Sequence, residues 1–262
     1  MNVTVLGSSS SIPRPQRACS GYLVEAAGRA VIADFGTGAF ANLHPYRNAE
    51  QVDAVVISHM HADHFLDVIP LRYALKYGPR THARKVGLWL PPGGEAMLRR
   101  MVDAFAPESS GDFLSEVFDV KTYDATAPLR IGGLTLRFAA TAHYIATFAM
   151  RVEAEGASVT YSADTAPDDG IAALARGTDL FLCEATLRSG EGDAVPRGHS
   201  SASEAGQMAQ RAEAKRLALT HYPAEFAIDD LRAQAGQVFS GAIDVADDHD
   251  RFELGAGSPP AR

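Results

Sequence analysis

Residues 59 to 64 read His-Met-His-Ala-Asp-His. Four side chains able to ligate a metal fall within these six positions. They follow an apolar run, Val52 to Ser58, with the length of a buried strand, and precede Phe65 to Tyr77, which reads as a helix. A polar loop with a surface histidine is common at such a junction. Three histidines and an aspartate together are not, in a chain holding nine histidines. Imidazole nitrogen and carboxylate oxygen suit zinc and its first-row neighbours. The motif therefore constrains the fold, which must present this loop to other ligands.

Elsewhere hairpin and helix patterns alternate. Asn2 to Leu6 alternates apolar and polar residues and reads as a strand. Tyr22 to Ala26 and Ala30 to Phe35 flank a turn at 27–29, and a short helix runs up to His44. Lys85 to Leu90 reads as a strand, Glu95 to Phe105 as a helix, 107–112 as a loop and Val117 to Tyr123 as a strand. Gly132-Gly133 joins Leu129 to Ile131 with Leu134 to Ala140, and Glu155-Gly156 joins Thr147 to Ala154 with Ser158 to Ser162. Helices are expected at 168–176, 200–214 and 228–239. Strands are expected at 179–183, 216–220, 243–246 and 251–254. No repeat or linker interrupts the order. It fits two mixed sheets packed face to face with helices outside. Residues 1–254 are expected to form one domain, and 255–262, rich in Gly and Pro, a flexible tail.

Composition narrows the class. A chain of 262 residues, 46% hydrophobic, can bury a substantial core. A net charge of −8 argues against a surface that coats nucleic acid. Two cysteines, Cys19 and Cys183, make a disulfide framework implausible and fit a reducing compartment. The N-terminus lacks the pattern of a signal peptide, and no apolar run reaches membrane-spanning length. A cytoplasmic location without membrane contact is the expectation.

His59, His143, Asp164, Glu184 and His221 each stand at or just beyond the end of an apolar strand. Strand ends along one edge of a sandwich converge, so these residues can meet. Asp34, ahead of Gly36, reads equally as a turn residue or as a hydrogen-bonding support for the histidine loop. Arg72, Lys76, Arg80, Arg84 and Lys85 read as a solvated helix face, and His44, His82 and His249 as structural or surface residues.

With its H-x-H-x-D-H motif and the later His, Asp and His, the chain resembles the metallo-β-lactamase superfamily. It is most similar there to the RNase Z-like phosphodiesterase branch. Supporting pieces are Leu6-Gly7-Ser8, Ala33-Asp34-Phe35-Gly36, Tyr161-Ser162-Ala163-Asp164-Thr165, Cys183-Glu184-Ala185-Thr186, the run His199 to Ala205, and Leu219-Thr220-His221-Tyr222. The resemblance implies an α/β fold, the four-layer αββα sandwich, and two divalent metal ions, zinc first with manganese or iron as alternatives. His59, His61 and His143 would hold one ion, Asp63, His64 and His221 the other, and Asp164 would bridge them. It also implies catalytic roles. Asp63 would accept a proton from water, and His199, held by Glu184, would protonate the leaving group.

The implied activity is hydrolysis of a small anionic phosphodiester such as a cyclic nucleotide. Members that mature tRNA carry a long arm between the third-histidine motif and the bridging aspartate. Here His143 and Asp164 are 21 positions apart, enough for a hairpin only. RNA is therefore the less favoured substrate, although a 3′-processing endoribonuclease remains an alternative. So does a thioester or lactone hydrolase using the same metals. Relatives of this kind often form homodimers.

Overall fold

The computed structural model of the chain describes residues 1–79, 84–191 and 194–255. Arg80, His82 and the tail beyond Gly255 lie outside the described residues. The strands are β1 (Asn2–Gly7), β2 (Gly21–Ala26), β3 (Arg29–Phe35), β4 (Ala54–Val56), β5 (Val86–Leu90), β6 (Phe118–Thr122) and β7 (Leu129–Ile131). They continue with β8 (Leu134–Ala140), β9 (Phe148–Ala154), β10 (Ala157–Tyr161), β11 (Leu180–Glu184), β12 (Arg216–Thr220), β13 (Ala242–Val245) and β14 (Arg251–Glu253). The helices are α1 (Ala39–Leu43), α2 (Ala62–Phe65), α3 (Val68–Tyr77), α4 (Gly94–Phe105), α5 (Ser110–Phe113), α6 (Asp169–Leu174), α7 (Ala202–Arg211) and α8 (Ile228–Gly236).

Among the described residues the strands form two seven-stranded sheets, ordered β14-β1-β2-β3-β4-β5-β6 and β13-β12-β11-β10-β9-β8-β7. Each sheet is antiparallel at first and parallel later. β3 to β6 run parallel, as do β10 to β13. Strands buried on both faces read as continuous apolar runs, and their alternation shows in three cores. Val3, Tyr22, Val24, Val31 and Val56 meet Leu136, Val152, Val159 and Leu182 between the sheets. Leu23, Ile32, Val55 and Leu88 face Leu71, Leu75 and Leu98 of the outer helices. On the opposite side Phe181, Leu217 and Leu219 face Ala205, Met208 and Leu231. This is the αββα sandwich. No helix among the described residues is long and apolar enough to cross a membrane.

Three expectations need correction. The helix anticipated over 65–77 is broken at Leu66-Asp67 into α2 and α3. Pro70 has no N–H and crowds the carbonyl four residues back, so it suits only the first turn of a new helix. Asp67 also accepts a hydrogen bond from Phe40 N at 2.7 Å, which ties the break to α1. The expected loop at 107–112 contains a 3₁₀ turn leading into α5. Arg72 is not solvated: it is 3% exposed. Its guanidinium donates to Phe113 O at 2.9 Å, pairs with Glu116 and lies over the Phe113 ring. Lys76 pairs with Glu116 and Arg84 with Asp53. His44 packs against Phe40, and His249 meets Tyr46.

Candidate metal centre

The carboxyl ends of β3, β4, β10, β11 and β12 open toward one edge of the sandwich, where α/β sheets commonly bind ligands. Asp34 is the penultimate residue of β3, the histidine motif follows β4, Asp164 follows β10, Glu184 ends β11 and His221 follows β12. Asp34, Ala163 and His221 have left-handed backbone, with φ of 54°, 51° and 48°. Such turns cost about 1–3 kcal/mol each and redirect the next side chain sharply. Gly36 permits a further approach: a Cβ there would stand 1.9 Å from Asp63 O. The turn after β3 therefore lies directly against the motif backbone.

The seven residues expected from sequence to bind metal meet. The ligand atoms of His59, His61, His143 and Asp164 all lie within 4.8 Å of one another, as do those of Asp63, His64 and His221. Asp164 stands between the groups with one oxygen toward each. Its Oδ2 is 3.7 Å from His59 Nε2 and 3.8 Å from His143 Nε2, while Oδ1 is 3.4 Å from His64 Nε2 and 3.5 Å from His221 Nε2. Asp63 Oδ2 lies 3.4 Å from His64 Nε2 and 3.3 Å from His221 Nε2.

Outer partners fix four of the five imidazoles. His64 Nδ1 donates to Asp34 Oδ2 at 2.8 Å and His143 Nδ1 to Gly198 O at 2.8 Å. Ser58 Oγ gives its proton to Asp34 Oδ2 and so accepts from His59 Nδ1 at 2.9 Å. Thr186 Oγ1 gives its proton to His221 O and accepts from His221 Nδ1 at 2.9 Å. All four rings consequently turn Nε2 inward. His61 is reversed: its Nδ1 lies 3.2 Å from His59 Nε2 and 3.0 Å from His143 Nε2. Outward hydrogen bonds of this kind set the tautomer of metal-binding histidines.

These residues fit a cation. Once the outward N–H groups are committed, neutral rings present lone pairs to one another at about 3 Å. Burial and then neighbouring imidazoles hold His59 well below its ordinary pKa, and likewise lower His61. Burial also lowers His143. The ligating form of imidazole is thereby favoured. His64 Nε2 and Asp164 Oδ1 are buried, 3.4 Å apart, and neither makes a well-formed hydrogen bond, which leaves both free to ligate a cation. Burial would raise Asp164, but His221 and His64 outweigh it and hold the carboxylate ionised. His64 differs from the other three rings: burial would lower it, but Asp164 and Asp34 outweigh that and raise it well above its ordinary value, so a cation there displaces a proton.

Beside the cluster, His199 Nδ1 lies 3.0 Å from Glu184 Oε1. Glu184 is fully buried and also accepts from Thr165 N, Thr186 N and Ser200 N. The ligand atoms of His199, Asp164 and His221 lie within 4.8 Å of one another, so His199 faces the carboxylate between the two groups. Tyr144 packs on this corner, its ring 4.7 Å from that of His143 and 5.6 Å from that of His199. Ser58, Tyr161 and Thr186 were given no individual role from sequence, although each adjoins a motif residue. Asp34 is resolved as a support for the histidines rather than a plain turn residue.

A sheet sandwich whose open edge gathers two histidine–carboxylate groups around one aspartate defines a metal-dependent hydrolase. The beta-lactamase superfamily domain matches residues 29–222, and the chain belongs to that superfamily. It is 34% identical to an uncharacterized protein of Mycobacterium leprae, covering 98% of this chain and 89% of that one. It is 32% identical to the probable metallo-hydrolase YhfI of Bacillus subtilis, covering 94% and 97%. The crystal structure of YhfI superposes with a TM-score of 0.85 at 28% identity, over 97% and 99% of the two chains. Ribonuclease Z of Mycobacterium bovis is 29% identical over 97% of this chain and 98% of its own.

Proposed function

We propose that the chain is a dinuclear metal-dependent phosphodiesterase acting on a small diester, of which a cyclic nucleotide is the leading example. His59, His61 and His143 would hold one cation, Asp63, His64 and His221 the other, with Asp164 shared. When bound, the cations supply positive charge to the phosphate oxygens and an activated water. Asp63, beside that position, would accept the proton the water gives up. Glu184 keeps the proton of His199 on Nδ1, so His199 exchanges protons with the substrate through Nε2. His199 in its charged form, stabilised by the buried carboxylate, delivers a proton to the departing alkoxide.

The observation carrying this reading is the His199–Glu184 pair. An alkoxide is a poor leaving group and needs a proton, whereas a thiolate leaves without one. The pair is therefore better suited to diesters than to thioesters. The likeness to ribonuclease Z favours a second reading, cleavage of RNA. Against it, β9 and β10 fill the interval between His143 and Asp164 with a plain hairpin.

The test is metal content of the purified protein together with turnover of bis(p-nitrophenyl) phosphate, cyclic AMP, a thioester and a tRNA precursor, with Asp164→Ala as control. About two ions per chain and cleavage of the diesters alone would support the first reading. Cleavage of the precursor would shift it to RNA. Turnover of the thioester alone would reject both.

A further inference from the structure

Two tyrosines cross between the sheets beneath the metal centre. Tyr22 on β2 reaches into the second sheet, where its Oη lies 2.7 Å from Thr220 Oγ1 on β12. Tyr161 on β10 reaches the opposite way and donates to Asp34 Oδ2 on β3 at 3.0 Å. The two rings touch, with centroids 4.7 Å apart. Tyr22, Thr220 and Asp34 are fully buried, and Tyr161 is 3% exposed.

Both hydroxyls end on residues that support ligands. Asp34 Oδ2 accepts from His64 Nδ1, and Tyr161 Oη itself comes within 3.5 Å of that nitrogen. Thr220 immediately precedes His221, where the backbone turns left-handed. His64 comes from the first sheet and His221 from the second. A cation between them requires the sheets to keep one spacing and one register. Packing between apolar side chains is tolerant of small shifts, while a buried hydroxyl must meet its acceptor closely or lose the hydrogen bond.

We infer that Tyr22 and Tyr161 form a reciprocal brace that positions His64 and His221, and so sets affinity at the Asp63/His64/His221 site more than at its neighbour. The inference rests on the reading that the cluster binds two cations. The other site depends less on the brace. His143 is held by Gly198 O, and His59 by Ser58, which grips Asp34 twice, with Oγ on Oδ2 and its backbone N–H on Oδ1 at 2.6 Å, an oxygen that neither tyrosine touches.

The experiment is titration of metal-free protein with Zn²⁺ against a competing chelator, for the wild type, Tyr22→Phe, Tyr161→Phe and the double variant. Tyr222→Phe is the control, because its hydroxyl bonds Ala246 O, just beyond β13, and does not cross to the first sheet. Circular dichroism monitors folding in each. One of the two stepwise affinities should fall about tenfold in either single variant, at the lower end of what support residues usually contribute. The other should stay within about twofold, and the double variant should fall by less than the product of the single effects, because the rings touch. General loosening lowers both steps together, and that result, or no change in either, overturns the brace. A wild type that takes up no cation overturns the brace and the metal reading alike. Uptake of two cations with no diester cleavage leaves the brace standing and removes only the proposed activity.

Discussion

His199 Nδ1 and Glu184 Oε1 are 3.0 Å apart, and the glutamate is held by three backbone N–H groups as well. A carboxylate with that many donors cannot swing toward the histidine cluster. Its remaining task is to fix which nitrogen of His199 carries the proton.

Glu184→Gln and His199→Ala should therefore lower kcat for an alkyl diester by roughly 10²–10⁴-fold. Cleavage of bis(p-nitrophenyl) phosphate should fall far less, since nitrophenolate leaves unaided. Metal content should stay near the wild-type value. Equal losses on both substrates would assign His199 to the metals instead.

Gly198 is predicted to accept a side chain only at the expense of Tyr144. An added Cβ would stand 2.5 Å from the Tyr144 ring, and the Gly198 carbonyl is the acceptor for His143. Gly198→Ala should reduce kcat/KM at least about tenfold, roughly 1.4 kcal/mol in transition-state terms. Tyr144→Ala in the same chain should recover part of the loss by clearing the space. Steady-state kinetics on the single and double variants decide it.

On the proposed two-cation reading, removing the cations should be felt in stability. A chelator should lower Tm by about 5 °C or more, with recovery on adding Zn²⁺, because a ligand bound to the folded state alone stabilises it. Asp164→Ala should weaken both sites, since each oxygen faces a different group of histidines. Retention of both ions at wild-type affinity would mean the aspartate is not shared.

The helix that follows His199 offers a pH test. Ser201 caps α7, Glu204 returns the hydrogen bond, and Arg197 pairs with Glu204 while donating to His199 O. Burial would raise the Glu204 carboxyl, but Arg197 and Ser201 outweigh it and hold it below the ordinary value. A depressed pKa contributes stability above the unfolded value of 4.5 and loses it as pH falls through the folded one. Glu204→Gln should thus cost ~1 kcal/mol at pH 7 and close to nothing well below pH 4.5, read from urea midpoints at both values.

The sandwich could be anticipated because its signals are local. Val31 to Ala33 and Leu180 to Cys183 are apolar on both faces, which marks strands covered twice. The ligands could be anticipated because each follows such a run. What escaped was contact between distant residues. Tyr161 and Asp34 are 127 positions apart, and Thr186 and His221 are 35 apart, so no spacing announces either pair. Arg72 was misread for a related reason. Its charge suits a wet helix face, and only tertiary packing brings Phe113 and Glu116 over it. The break before α3 was legible in Pro70, whose missing N–H rules out the interior of a longer helix.

β1 has one neighbour from residues 21–26 and the other from residues 251–253, and Met1 exchanges backbone hydrogen bonds with Leu254. On a ribosome adding about 5–20 residues per second, these neighbours emerge about ten to fifty seconds apart. Throughout that interval one side of β1 offers bare N–H and C=O groups to any nascent chain nearby. Vulnerability to aggregation during translation should concentrate at the first strand, and it ends only when the last one arrives.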